Sequence, residues 1–419
     1  MSSARSVVRA PLNSRAAVRA TALLIALRVG YAYNWFDVGP GLPAIGTEFG
    51  VGVADWGLLL AAFLVGAGVF QVPAGLLARR YGSRVVSLAG TALLAVGGVA
   101  GALAPNFPTL LALRLLSGVG AGLFFSPAIG LVASLYPEGR RGVPVGTFSS
   151  AFSAGAAMGL LGSSFLVPLV GWRWALAFGG LLLAAVTLAA LFGISREAGA
   201  PDREPVRPGI PAALRFRGTW AVGLAFIGVE GAAFATGQFI VPYGETVLGW
   251  AALLAGVVGM MFVLPSVVGG PAGGSLAERY QNHRTQFVVA AMVAAGVLLL
   301  LPVAGWAVAI AIGTVFSFAY GLIYAVMYVL PHYWRSVPAG EIPLAIGLFN
   351  SIQLAGGAGV SALFAWVVAQ GGYAVGWWFL AGAMVVTLVA LVALPPTAPD
   401  GAGRPTVAED GAPSAEHVP

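Results

Sequence analysis

Residues 75–81 read Gly-Leu-Leu-Ala-Arg-Arg-Tyr, and residues 274–280 read Gly-Ser-Leu-Ala-Glu-Arg-Tyr. The second stretch begins 199 residues after the first, counted from Gly75 to Gly274. Two further matches follow in the same order, at offsets of 199 and 201 residues: 121–123 (Ala-Gly-Leu) with 320–322 (Tyr-Gly-Leu), and 146–150 (Gly-Thr-Phe-Ser-Ser) with 347–351 (Gly-Leu-Phe-Asn-Ser). Three matches in order predict two equivalent halves within one chain.

The composition places both halves in a membrane. The 419 residues are 59% hydrophobic and 9% charged, with a mean hydropathy of +0.90, whereas about a quarter of a soluble domain is charged. About 20 apolar residues cross a bilayer. Cutting the chain at polar and Pro/Gly breaks gives twelve apolar stretches: 19–45, 53–78, 84–104, 108–136, 143–168, 172–194, 217–244, 248–277, 285–304, 306–334, 341–369 and 372–394. We therefore predict twelve transmembrane helices.

The remaining segments divide the chain. We expect a cytoplasmic N-terminal segment at 1–18 without a cleavable signal peptide, six-helix halves at 19–195 and 217–394, a cytoplasmic linker at 196–216, and a disordered cytoplasmic tail at 395–419. Of the 21 arginines, 18 fall on alternate connections or the termini. Because cytoplasmic loops carry the excess of positive charge, both termini are predicted to be cytoplasmic. The protein itself is predicted to lie in the cell membrane.

Residue types that are absent limit the chemistry. The chain has no cysteine and no lysine, and its three histidines are scattered. Thiolate metal sites, Schiff bases and a lysine-containing phosphate loop are therefore excluded. We expect no enzyme activity, no cofactor, no metal and no nucleic-acid partner.

Three short motifs carry a resemblance to a known family. Residues 75–84 read GLLARRYGSR, residues 114–122 read RLLSGVGAG, and residues 171–174 read GWRW. Together they resemble the loop motif G-x-x-x-D-R-x-G-R-R, the fourth-helix pattern R-x-x-x-G-x-G-x-G and the turn before helix six of the major facilitator superfamily. Arg79 stands where that superfamily has its aspartate. Residues 34–38, Asn-Trp-Phe-Asp-Val, are weakly similar to the N-Y-x-D-R of its anion:cation symporters for organic acids.

The resemblance implies an all-α membrane protein with twelve transmembrane helices in two pseudo-symmetric six-helix halves, the major facilitator fold. Secondary transporters of this plan bind substrate near the midplane between the halves. The expected partners are a small-molecule substrate, protons and the lipid bilayer, and we expect a monomer.

Ionisable residues within predicted spans are candidates for function because a charge there is costly. Asp37 and Arg114 lie at similar depths on spans one and four, which predicts an ion pair between them, with either a functional or a fixed structural role. Arg28 and Glu230 occupy equivalent spans of the two halves and are predicted to approach across the cavity. Nine residues separate Arg28 from Asp37, which is half a turn of helix, so at least one of them is expected to face helix packing.

The candidate site combines these ions with aromatic and polar side chains. Tyr320, Tyr324 and Tyr328 recur every four residues and so share one helix face, which indicates either a binding wall or simple helix packing. The predicted substrate-binding residues are Arg28, Tyr31, Asn34, Arg114, Gln238, Tyr320, Tyr324, Asn350 and Gln353. Asp37 and Glu230 are predicted to couple transport to protons. For Glu230, the alternative is a carboxyl that never titrates.

The loop motifs predict a charge-swapped latch between the halves. Arg79 would pair with Glu341, and Glu278 would pair with Arg140 or Arg141, closing the cytoplasmic side in one state and separating in the other. Solvated charge is the alternative. The predicted gating residues are Arg79, Arg80, Arg84, Arg140, Arg141, Glu278, Arg279 and Glu341.

We predict a secondary active transporter of a small organic solute that works by alternating access. Uptake of an organic anion is favoured by the arginines and the match at 34–37, and proton-driven efflux of amphipathic compounds is favoured by the aromatic residues and Glu230. A remote alternative is a non-transporting receptor or a membrane enzyme. The sequence contains neither a large soluble output domain nor an H-E-x-x-H motif.

Overall fold

The computed structural model describes residues 14–137, 140–200, 212–280, 282–334, 337 and 341–393. The predicted tail at 395–419 and most of the predicted linker lie outside these residues. Thirteen α-helices account for nearly all of the described chain: α1 Ser14–Phe36, α2 Leu42–Phe49, α3 Val53–Tyr81, α4 Ser83–Ala102, α5 Phe107–Ser134, α6 Gly142–Gly193, α7 Ala212–Arg215, α8 Arg217–Thr246, α9 Ala252–Met261, α10 Ser266–Tyr280, α11 His283–Leu298, α12 Trp306–Val329 and α13 Ile342–Thr387. Helix α1 therefore begins within the predicted N-terminal segment.

Ten segments of the described chain are long and apolar enough to cross a membrane. Two of them, Gly142–Gly193 and Leu344–Val392, have 52 and 49 residues, more than twice the roughly 20 residues that one crossing needs. Each of the two has the length for two crossings. Twelve transmembrane helices remain a prediction, which these two lengths support.

A single glycine breaks each of the two long helices. Gly171 in α6 has φ 81°, and Gly372 in α13 has φ 79°, a backbone region that residues with a Cβ rarely enter. The two glycines are separated by the offset of 201 residues that also relates 146–150 to 347–351. The internal repeat thus extends to the places where the chain turns.

One predicted span is interrupted. The stretch 248–277 is not a continuous helix, because α9 ends at Met261 and α10 begins at Ser266. Pro265 lies in the gap and has no backbone N–H to continue the helical hydrogen bonds. Residues 252–277 nevertheless form one candidate membrane span of 26 residues.

The helices pair in the same way in both halves. Helix α1 packs on α6, and α3 and α4 pack on α5; correspondingly α8 packs on α13, and α10 and α11 pack on α12. The halves meet where α3 contacts α13 and where α6 contacts α9. This arrangement confirms the predicted fold class of two equivalent helical halves.

Candidate functional site

A cavity of about 450 Å³ lies between the two halves. Its walls come from α1, α3, α5 and α6 on one side and from α8, α10, α12 and α13 on the other. Side chains of the first half that line it include Arg28, Tyr31, Trp35, Gln71, Phe125 and Phe152. Those of the second half include Glu230, Tyr320, Tyr324, Tyr328, Asn350 and Gln353. The cavity therefore has mainly aromatic walls, a few polar groups and one charge from each half.

The cavity opens toward the arginine-rich ends of the helices. Phe125 and Ile129 line it from the second half of α5, and Val145 and Gly146 line it from the start of α6. Both positions are near Arg140 and Arg141 in the chain. Gly146 and the neighbouring Ser149 are exposed, so they form part of the mouth.

Arg28 is held in the wall by aromatic rings. Its guanidinium carbon lies 4.8 Å from the ring centroid of Tyr31, 4.4 Å from Phe125 and 4.7 Å from Phe152. The side chain is 5% exposed, and its Nε donates to no described residue. The ion pairs between described residues are Arg114 with Asp37 and Arg173 with Glu48. Arg28 thus brings to the cavity a positive charge that no described carboxylate neutralises.

Glu230 faces the cavity from the other half. Its carboxylate oxygen Oε2 accepts a hydrogen bond from the Tyr320 hydroxyl at 2.8 Å, and the residue is 7% exposed. Helix α8 supplies the acid, and α12 supplies the phenol. The opposite charges of the cavity, Arg28 and Glu230, consequently belong to different halves and form no ion pair with each other in this structure.

The tyrosine stripe of α12 forms one side of the cavity. The ring centroids of Tyr320 and Tyr324 are 5.7 Å apart, and those of Tyr324 and Tyr328 are 4.9 Å apart. The hydroxyls of Tyr324 and Tyr328 are 3.0 Å apart, and Tyr328 donates to Asn350 Oδ1 at 3.3 Å. Gln353 Nε2 donates to the same oxygen. Tyr324, Tyr328, Asn350 and Gln353 therefore form a connected row of hydroxyl and amide groups along the cavity.

A smaller chamber of about 40 Å³ adjoins the cavity beyond Glu230. The two spaces share Glu230 and Tyr320, and the chamber continues to Phe36 and Phe234. Ser153 of α6 and Ser266 of α10 lie at the boundary with their hydroxyl oxygens 2.8 Å apart. Glu230 consequently has access to both spaces.

The structure does not bring Asn34, Arg114 or Asp37 to the cavity. Arg114 and Asp37 form the predicted contact, with 3.8 Å between Nη1 and Oδ1, and both side chains are completely buried. Arg114 also donates to the Asn34 carbonyl and stacks on Phe63 at 4.6 Å. The side-chain amide of Asn34 donates to the Gly30 and Gly179 carbonyls. Asn34 lies on a different face of α1 from Arg28, and Arg114 of α5 and Asp37, just after α1, pack beside it within the first half.

Gln238 also lies outside the cavity. It is completely buried and donates from Nε2 to the Trp35 carbonyl at 2.5 Å, beyond the small chamber. The cavity contains instead Trp35, Gln71 and Phe152, which were not among the predicted site residues. Gln71 had a signal, since it is a lone amide in the otherwise apolar stretch of α3.

Only one pair of the predicted latch, Arg79 with Glu341, lies within the described side chains. Arg79 and Glu341 form no ion pair, and Glu341 Oε2 accepts a hydrogen bond from the Ala213 backbone N–H at 2.9 Å. Arg84 donates to the Ile194 and Leu191 carbonyls, which ties α4 to the end of α6 within one half. The side chain of Glu278 lies outside the described part of the chain, so the second pair of the latch stays a prediction.

The other predicted gating arginines make contacts within their own loops. Arg141 donates from Nε to the Tyr136 carbonyl at 2.9 Å, and Arg140 is exposed. Arg80 covers the Tyr81 ring at 5.2 Å, and its repeat equivalent Arg279 covers Tyr280 at 5.4 Å. The repeated motif thus has the same local geometry in both halves.

Two equivalent helical halves around a central cavity that opens at one end define a secondary transporter of the membrane. The sequence profile of the Major Facilitator Superfamily matches residues 24–334. The chain belongs to this superfamily, and it is a multi-pass membrane transporter, not an enzyme.

Similar proteins agree with this membership. The chain is 33% identical to a 4-hydroxybenzoate transporter of Pseudomonas aeruginosa over 156 residues, which cover 37% of this chain and 35% of the relative. It is 27% identical to a probable nitrate/nitrite transporter of Mycobacterium tuberculosis over 260 residues, or 59% and 63% of the two chains. It is 29% identical to a chloramphenicol resistance protein of Streptomyces lividans over 268 residues, or 63% and 66%. The matches span between about a third and two thirds of these relatives' lengths.

A solved structure supports the fold. The crystal structure of a bacterial homologue of the human lysosomal transporter Spinster, in an inward-facing and occupied conformation, aligns with a TM-score of 0.66. The alignment covers 88% of this chain and 94% of that chain at 18% identity. At this identity the likeness concerns the fold alone.

Proposed function

We propose that this transporter takes up a small organic anion across the cell membrane by proton-coupled alternating access. Arg28 is the observation that carries the proposal. Its guanidinium lines the cavity, is surrounded by rings and pairs with no described carboxylate. A cation that is largely removed from water gains most from a bound anion. The aromatic walls suit an anion with a flat apolar body.

The relatives support an anionic substrate in general terms. One is named for an aromatic carboxylate and another for nitrate and nitrite. Both kinds of solute carry a planar anionic group that an arginine binds through two parallel hydrogen bonds.

We further propose that both termini face the cytoplasm and that this structure is the inward-facing state. The excess of arginine on alternate connections supports the orientation. The cavity opens toward those arginine-rich ends, and the opposite ends of α1 and α8 pack closely, with the ring centroids of Phe36 and Phe234 5.6 Å apart.

Thermal stabilisation of the purified protein tests the substrate class. We expect benzoate and 4-hydroxybenzoate to raise the unfolding temperature, and benzyl alcohol, which lacks the charge, to leave it unchanged. The shift should disappear in Arg28→Leu and persist in Arg217→Leu, since Arg217 is exposed at the start of α8. Equal stabilisation by the alcohol, or a shift that survives in Arg28→Leu, would contradict the proposal.

Proton coupling is assigned to Glu230, with Tyr320 as its hydrogen-bond donor. We expect Glu230→Gln to abolish accumulation driven by a pH gradient while exchange of labelled for unlabelled substrate continues. One proton per solute supports about tenfold accumulation per pH unit, with uptake favoured by an acidic exterior. The measurement is uptake into proteoliposomes with and without the gradient.

Glu48→Gln is the matched control for Glu230→Gln. Glu48 lies outside the cavity and pairs with Arg173, so its variant should accumulate substrate as the wild type does. Accumulation by Glu230→Gln that still follows the pH gradient would contradict the assignment.

Efflux of amphipathic compounds is the second candidate. It is favoured by the apolar walls of the cavity and by the similarity to a chloramphenicol resistance protein. The same thermal experiment distinguishes the two candidates. Stabilisation by tetraphenylphosphonium that is lost in Glu230→Gln supports efflux, because a cation would depend on the acid and not on Arg28.

A further inference from the structure

The outer end of α1 has carbonyl groups that its own helix cannot satisfy. The helix ends at Phe36, and the last carbonyls of a helix have no partner in the next turn. The Asn34 carbonyl accepts from both terminal nitrogens of Arg114 at 3.4 Å. The Trp35 carbonyl accepts from Gln238 Nε2 at 2.5 Å. Two side chains thus cap the end of α1.

The two caps belong to different halves of the protein. Arg114 is on α5, in the same half as α1, whereas Gln238 is on α8, in the other half. Alternating access moves the halves largely as rigid bodies. The bond from Arg114 therefore persists through the cycle, and the bond from Gln238 has to break when the outer ends separate.

Glycines permit the close approach at this contact. A Cβ on Gly39 would lie 2.8 Å from both the backbone oxygen and the side-chain oxygen of Gln238. A Cβ on Gly237 would lie 2.6 Å from Cε1 of Phe36. A Cβ at Gly39 would meet backbone, and one at Gly237 would meet the Phe36 ring, so a larger residue at either position forces the contact to shift.

The contact lies at the end of the molecule opposite the cavity mouth. Phe234 packs on Phe36 and on Trp35, with ring centroids 5.6 Å and 6.0 Å apart. The small chamber beyond Glu230 ends at Phe36 and Phe234. Gln238 and the two glycines therefore stand between the chamber and the outer surface, without lining either space.

We propose that Gln238, Gly39 and Gly237 form the outer gate and set the balance between the two access states. Gln238 acts as a positioning residue: it holds the end of α1 in the closed arrangement and does not touch the substrate. Weakening the contact favours the outward-facing state, whatever the transported solute is. The proposal rests on alternating access and on the proposed orientation, but not on the anionic substrate, so the gate and the substrate class can fail separately.

Single cysteines report the two states, because the natural chain has none. Ala233→Cys, in the wall of the small chamber, is labelled from outside intact cells with a membrane-impermeant thiol reagent. Ser149→Cys, at the mouth of the main cavity, is labelled in inside-out vesicles. We expect Gly39→Ala and Gln238→Leu to raise the outer labelling rate about fivefold or more and to lower the inner rate.

Matched variants separate gating from general damage. Gly296→Ala is the control, since a Cβ there meets no atom within 4 Å. Gly237→Ala should behave like Gly39→Ala, and adding Phe36→Leu, which shortens the opposing side chain, should restore the wild-type rates. Labelling rates in Gln238→Leu and Gly237→Ala within about twofold of those in Gly296→Ala, or no rescue by Phe36→Leu, would overturn the proposal.

Discussion

Uptake of the carboxylate that stabilises the protein most is expected to fall about a hundredfold or more in Arg28→Leu. Leucine removes the positive charge of the cavity and leaves an arriving carboxylate among rings that cannot replace its hydration. Arg28→Lys retains the charge but loses the planar group that lies against Phe125 and Phe152. We expect an intermediate loss of about tenfold for lysine. Initial uptake rates in proteoliposomes, per molecule of folded protein, provide the measurement.

The control for Arg28 is an arginine outside the cavity. Arg217→Leu removes an exposed charge and should leave uptake within about twofold, since exposed charges interact weakly. If Arg28→Leu transports within about threefold of the wild type, the guanidinium is not the anion site. The aromatic walls would then have to account for binding on their own.

The fold could be predicted because its signals are repeated and long. Apolar stretches of about 20 residues and three motif matches at nearly the same offset predict two equivalent halves. The turn glycines Gly171 and Gly372 share that offset. The break between α9 and α10 was missed, because Pro265 stands in a continuous apolar stretch and hydropathy does not reveal a backbone interruption.

The candidate site was predicted in part, for geometric reasons. Arg28, Tyr31, Glu230 and the α12 tyrosines line the cavity because they share the depth and the helix face that the sequence assigns them. Asn34 is six residues beyond Arg28, which at 100° per residue turns it to another face. Its match to the N-Y-x-D-R motif had favoured it.

Gln238 shows the limit of reasoning from helix faces. It is eight residues beyond Glu230, so the two side chains are only about 80° apart around the helix but roughly 12 Å apart along it. That rise carries Gln238 beyond the small chamber, to the helix ends opposite the cavity mouth. The sequence gives the face of a residue but not the level at which the two halves meet.

Substitutions of the buried ion pair Asp37 and Arg114 are expected to have strongly coupled effects on the free energy of unfolding. Asp37→Asn should lower the free energy of unfolding by about 3 kcal/mol, because the Arg114 guanidinium stays buried without a counter-charge. Arg114→Met should cost more, since it also removes both donors from the Asn34 carbonyl. The double variant should be less destabilised than the sum of the two by about 2 kcal/mol. Unfolding by titration with sodium dodecyl sulfate in mixed micelles measures each value.

The exposed pair of Glu48 and Arg173 supplies the comparison. Its side chains are 42% and 33% exposed, so the coupling between Glu48→Gln and Arg173→Gln should be about 1 kcal/mol or less.

A transport measurement distinguishes a structural role of Asp37 from a role in proton coupling. If the pair is structural, Asp37→Asn should still accumulate substrate with the pH gradient when uptake is expressed per amount of folded protein. Loss of that accumulation with exchange intact would instead place Asp37 beside Glu230 in the proton pathway, because the two variants would then fail at the same step.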